Sequence, residues 1–166
     1  MRKRSMGRAA VIAAVLLLAA GCGEEVDEAQ ESAEGAATTL SSRLESTTRL
    51  TATLTGSSEV PKPGDPDATG TAMVNLDVSK TEVCYDVTVQ KIDRPVGMHI
   101  HEGEAGKSGP VVVPLTTPTA SDTTTSGCAN ADATLMGRIA ANPGNFYVNV
   151  HSAAYPEGAV RGQLSQ

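Results

Sequence analysis

Three histidines are the residues of this 166-residue sequence whose types and spacing best suit chemistry. His99 and His101 lie two apart in Met98-His99-Ile100-His101-Glu102, and His151 closes Phe146-Tyr147-Val148-Asn149-Val150-His151. On a β-strand, residues two apart share a face, with Cα atoms about 6.5 Å from each other. His99 and His101 therefore point together, away from Met98 and Ile100. His151 points away from Val148 and Val150. If the two strands are neighbours, the three imidazoles converge as donors suited to copper or zinc. The same side chains also fit a hydrogen-bonded polar cluster between strands or under the loop at 103–110. Carbonyls, Glu102 or Asn149 would then be partners. Both readings stand on the residues alone, beside a third in which the histidines bind some other ligand.

These residues need strands to position them, and the pattern supplies them. Leu50, Ala52 and Leu54 alternate with threonines, and Ala72, Val74, Leu76 and Val78 alternate with Thr71, Met73, Asn75 and Asp77. Val83, Tyr85, Val87 and Val89 do the same, as do Val96, Met98 and Ile100, and Phe146, Val148 and Val150. Val111 to Val113 form a short apolar run, and Val160 and Leu164 close the chain. Such alternation predicts half-buried strands. Residues 61–67, 103–110, 118–127, 142–144 and 155–158 are rich in turn formers and read as the breaks. Ala131, Leu135, Ile139 and Ala140 recur at helical spacing, so residues 132–141 read as one short helix stopped by Asn142-Pro143-Gly144. The expected fold is all-β: an antiparallel Greek-key sandwich or barrel of about seven or eight strands with that helix. Its core must be aliphatic, since Phe146, Tyr85, Tyr147 and Tyr155 are its only aromatics.

The N-terminus reads as an address. Arg2, Lys3, Arg4 and Arg8 precede an uncharged apolar stretch at 9–20, too short to span a bilayer comfortably and suited to a signal peptide. Leu18-Ala19-Ala20-Gly21-Cys22 resembles the lipobox of bacterial lipoproteins, with Ala19 where Leu is commoner. That resemblance implies cleavage after residue 21, lipid (diacylglycerol and palmitate) on Cys22, and an extracytoplasmic chain anchored to a bacterial membrane. Gly23, not Asp, follows the cysteine, so no inner-membrane retention cue is present. Cleavage would remove four cations and no acids, taking the net charge from −6 to −10. A chain so acidic, with no clustered Lys or Arg after the signal, excludes a nucleic-acid partner. Residues 22–48 crowd acids with Ser, Thr, Ala and Gly and read as a flexible tether. Residues 49–166 read as the single, monomeric domain. In an exported chain Cys84 and Cys128 are most simply a disulfide, outside the core because Cys84 faces away from Val83 and Tyr85, tying its strand to the loop before the helix.

Met98-His99-Ile100-His101-Glu102-Gly103, Gly109-Pro110-Val111-Val112-Val113-Pro114-Leu115, and residues 142–151 with 154–164 together resemble the CHRD (chordin-type) domain family over nearly all of residues 50–165. The resemblance implies fold and class, with no established activity to carry onto named residues. A weaker resemblance links His99-Ile100-His101-Glu102-Gly103 and Val148-Asn149-Val150-His151 to copper–zinc superoxide dismutases. It implies His99, His101 and His151 as copper ligands at a copper-only site, since no histidine remains for zinc, and Arg161 is a weak match for an active-site arginine. Other motifs are incomplete. Gly106-Lys107-Ser108 has His101 where a phosphate loop needs glycine. Asp65 to Gly70 opens like a calcium loop whose twelfth position is Leu76 instead of Glu. With no complete catalytic set, the chain reads as a non-enzymatic binding or scaffolding module. The alternative is a copper-binding protein, dismutase-like in role.

Overall fold

The computed structural model describes residues 47–120 and 123–166. The signal segment 1–21, Cys22 and nearly all of the tether at 22–48 lie outside the described residues. Eight strands form one antiparallel sheet: β1 (Thr48–Thr55), β2 (Thr69–Asp77), β3 (Glu82–Gln90), β4 (Pro95–Glu102), β5 (Val111–Pro114), β6 (Thr123–Asn130), β7 (Phe146–Ser152) and β8 (Val160–Gln163). Their order is β5-β4-β7-β8-β1-β2-β3-β6. The edge strands β5 and β6 approach each other, so the sheet rolls into a nearly closed barrel or sandwich. The fold is the all-β architecture the alternation predicts.

Period-two patterning builds the interior directly. Leu50, Ala52 and Leu54 of β1, Ala72, Val74 and Leu76 of β2, and Val83, Tyr85, Val87 and Val89 of β3 all face inward and are buried. Met98 and Ile100 of β4, Val148 and Val150 of β7, and Val160 of β8 meet them from the other strands. Burying each Val, Leu, Ile or Met among them stabilises the fold by roughly 1.5–3 kcal/mol before the entropy of ordering is subtracted. The helix α1 spans Ala133–Ala141, within the expected span. Asp132 caps it by accepting a hydrogen bond from the Leu135 N–H at 2.9 Å, and Met136 and Ile139 turn inward. Pro143 then opens a single 3₁₀ turn that leads into β7.

One expectation fails. Residues 118–127 read as a turn, yet β6 begins at Thr123 and pairs with β3 along its length, Val89 opposite Thr123 and Tyr85 opposite Gly127. Its burial does alternate, half-buried against exposed, but both faces are built from Thr, Ser, Gly, Cys, Ala and Asn, so no hydrophobic period marks it. Threonine's β-branch suits the pleated backbone, and an edge strand needs only one half-buried face. The disulfide corrects with it. Cys84 and Cys128 are joined, off the core as expected. They sit directly opposite each other on β3 and β6, so the bond links strand to strand, not strand to loop.

β7 is the exception to half-burial, because all its residues but His151 are buried. Its inner face is in the aliphatic core. Its outer face is covered by loops, and that covered outer face is where the three histidines meet.

Candidate metal centre

β4 and β7 are neighbours, with Gly97 opposite His151, His99 opposite Asn149, and His101 opposite Tyr147. That register gathers all three histidines on the outer face. Ring centroids lie 5.6 Å apart for His99 and His101, 5.2 Å for His99 and His151, and 6.3 Å for His101 and His151. One ring nitrogen of each comes within 4.8 Å of the others. Gly97 makes room for this, since a Cβ there would stand 3.3 Å from His99 Cε1 and 3.5 Å from His151 Cδ2.

The hydrogen bonds say which nitrogens are available. His101 Nδ1 lies 2.9 Å from the Gly109 carbonyl, and His151 Nδ1 lies 2.9 Å from the Pro156 carbonyl. A carbonyl only accepts, so each Nδ1 carries the proton and each Nε2 keeps its lone pair. Both Nε2 atoms are buried without a partner, as is His99 Nδ1. Among the described residues the one other buried side-chain polar atom without a partner is Asn149 Oδ1, on the same face. Unpartnered buried polar atoms are rare and costly, and here they fall in one place. Burial is the main force holding His99 and His101 below the ordinary histidine pKa. The neighbouring imidazoles add to it at His99, and at His101 the Gly109 carbonyl opposes it. Low pKa values keep these rings neutral, the form that ligates metal.

A family model for the CHRD domain matches residues 50–164. The chain belongs to the CHRD-domain family. No curated protein and no solved structure matches it.

In this CHRD domain the histidines stand on a polar layer that sequence reasoning caught only in part. The Tyr147 ring stacks on His101, centroids 4.8 Å apart and planes within 8°. The Arg161 guanidinium lies 3.4 Å from the Tyr147 centroid, and the Arg161 side chain is buried. Arg161 Nη2 donates to the Glu104 carbonyl at 2.8 Å, and Gln163 Nε2 donates to the Gly103 carbonyl at 2.9 Å. The Gly109 N–H donates to the Tyr147 hydroxyl at 3.2 Å. These bonds clamp the loop at 103–110 over the site, and that loop's Gly109 carbonyl orients His101. Glu59 reaches in from the loop after β1, where its carboxylate accepts from Asn149 Nδ2. Burial pushes the Glu59 carboxyl up to about 7, against the nearby Arg161 charge and the Asn149 bond, which pull it down.

Two expected partners are elsewhere. Glu102 forms an ion pair with Arg138 of α1 at 2.6 Å, and Asn149 turns its amide to Glu59, so neither bonds a histidine. The face on which each residue emerges explains it. Glu102 follows His101 by one and so leaves the shared face, whereas Asn149 shares the face but donates to the Glu59 carboxyl instead. Arg161 is near the site, where its guanidinium and the His101 ring both pack on Tyr147 and its charge helps to lower the His101 pKa. Tyr147, Arg161 and Gln163 have the right strand parity to be found in advance. Glu59, Gly109 and Pro156 come from loops, where no periodicity points. A second grouping, Glu82 with Cys84 and Cys128, offers no thiolate, because its sulfurs are bonded to each other.

Proposed function

We propose that this CHRD-domain protein is a non-enzymatic metal-binding module that works outside the cytoplasm, and that His99, His101 and His151 hold one copper ion. The observation that carries this reading is the convergence of three imidazoles, each offering a ring nitrogen within 4.8 Å of the others and each carrying a buried nitrogen without a partner, two of them with their tautomer set by a carbonyl on the far side of the ring. Metal-bound histidines are characteristically held from behind in this way. An ion about 2.0–2.1 Å from each nitrogen would hold them roughly 3.4 Å apart, inside the 4.8 Å within which they already lie. Three nitrogen donors favour Cu(II) over the other common divalent ions by the Irving–Williams order. The neighbouring thioether, that of Met98, faces the core and stays out of the set.

An extracytoplasmic setting is supported by the disulfide, which persists in oxidising compartments. Attachment by lipid on Cys22 rests on the apolar stretch before it and on Leu18-Ala19-Ala20-Gly21. Among the described residues no helix is long and apolar enough to cross a membrane.

Titrating the purified chain with Cu(II) while recording electron paramagnetic resonance tests the site. One equivalent should give a nitrogen-rich copper signal, abolished in His101→Ala and in His151→Ala. Copper uptake well below one equivalent, or a signal the two substitutions leave unchanged, rejects it.

A further inference from the structure

The three imidazoles are not held alike. His101 is fixed twice, by the bond to the Gly109 carbonyl at 2.9 Å and by stacking on Tyr147 at 4.8 Å. His151 is fixed by the Pro156 carbonyl at 2.9 Å. His99 has no such bond. Its Nδ1 is without a partner, and it meets the other two rings edge-on, at interplanar angles of 80° and 65°. Beside it the strand carries Gly97, so no side chain at that position props the His99 ring. His101 and His151 cannot turn away without breaking a hydrogen bond behind the ring. His99 can.

We propose, resting on the metal reading above, that the centre is an exchange site. His101 and His151 form a standing pair, and His99 is the ligand that opens to pass the ion on. Bonds behind a metal-bound histidine raise affinity by roughly 10–100-fold, and two of the three ligands have them. When His99 swings out, its nitrogen–metal bond breaks and a ligand atom of the acceptor takes the vacated position. The step is a ligand substitution, with no electron transferred and no covalent bond changed within the protein. The acceptor is a site offering imidazole or another nitrogen donor to an ion still held by two histidines. The protein's role is then transfer, not storage.

The test compares Cu(II) in the purified full chain with the His99→Ala, His101→Ala and His151→Ala variants. Free imidazole serves as the mimic of an acceptor and excess chelator as the sink. His99→Ala should keep a two-nitrogen copper signal, with an affinity loss about ten-fold smaller than either of the other substitutions causes. Release from the wild type should speed up in proportion to imidazole concentration. Equal losses in all three variants, or release indifferent to imidazole, overturn the proposal while leaving the metal reading intact. No copper uptake by the wild type sinks both. Nitrogen-15 spectra of histidine in the metal-free wild type check the same asymmetry without any substitution. His101 and His151 should each show a single tautomer with the proton on Nδ1, and His99 should interconvert between tautomers. A locked His99 tautomer counts against the exchange role.

Discussion

Glu59 and the histidines place opposing titrations on one face of the sheet. Glu59 is 7% exposed, and burial lifts its carboxyl from 4.5 to about 7. Between those values the folded chain binds the proton more tightly than the unfolded chain does. The stability this proton contributes is therefore full below about pH 4.5, falls as pH rises, and is gone above about 7. His99 and His101 shift the other way. Their pKa values lie below 6.5, so the stability of keeping them neutral is present above pH 6.5 and is lost as pH falls below it. In the wild type the two trends partly cancel. Glu59→Gln keeps an acceptor for Asn149 and deletes the carboxyl titration, so its melting temperature should climb from pH 5 to 7 more steeply than that of the wild type. Superimposable melting profiles of the two proteins across that range would show that Glu59 does not titrate as argued.

Among the elements, β6 shows what a hydrophobic pattern can and cannot convey. β1 to β4 and β7 were legible because burial on one face demands apolar residues at every second position, and the helix was legible from its period and its Asn-Pro-Gly stop. The convergence of His99, His101 and His151 followed from strand parity once β4 and β7 were neighbours. β6 carries the same geometric alternation with little chemical contrast between its faces, so the sequence offers nothing to count. Gly127 is the clearest case. It reads as a turn residue, but it sits in mid-strand opposite Tyr85, where a Cβ would lie 2.6 Å from the phenol oxygen. That oxygen accepts the Thr116 N–H at 2.8 Å, and the tyrosine is buried. Glycine in a strand often marks such a close approach. Gly127→Ala should cost about 1–3 kcal/mol, as overpacking does, measured by urea unfolding. A variant as stable as the wild type would mean that Tyr85 has room to move. The loop carbonyls that orient His101 and His151 were not legible for a different reason, since loop paths follow from packing and leave no period in the sequence.

For the molecule as a whole, the cross-link is the feature that fits an extracellular domain. The Cys84–Cys128 bond closes a loop with a sequence separation of 44. In the chain-entropy model such closure stabilises a fold by roughly 4 kcal/mol, an upper figure because native strain is ignored. Cys84→Ser with Cys128→Ser should lower stability by up to that amount, read from denaturant midpoints. Equal stability of the oxidised and substituted proteins would remove the bond from the account of the fold. Cys22→Ala should leave the domain folded and release it from the membrane fraction into the soluble one. Continued membrane attachment would refute the lipid anchor.

If the histidines hold an ion as proposed, their position also governs when it could be taken up. They stand on the outer side of a sheet whose aliphatic core is complete without them, and two of their rings are already oriented by carbonyls. Folding does not wait for metal, unlike that of a zinc finger. At a hundred times its Kd, copper would add about 2.7 kcal/mol by mass action, a supplement to a fold already formed. On the proposed reading, the chain would fold and oxidise first and take up its ion afterwards, from whatever compartment holds it.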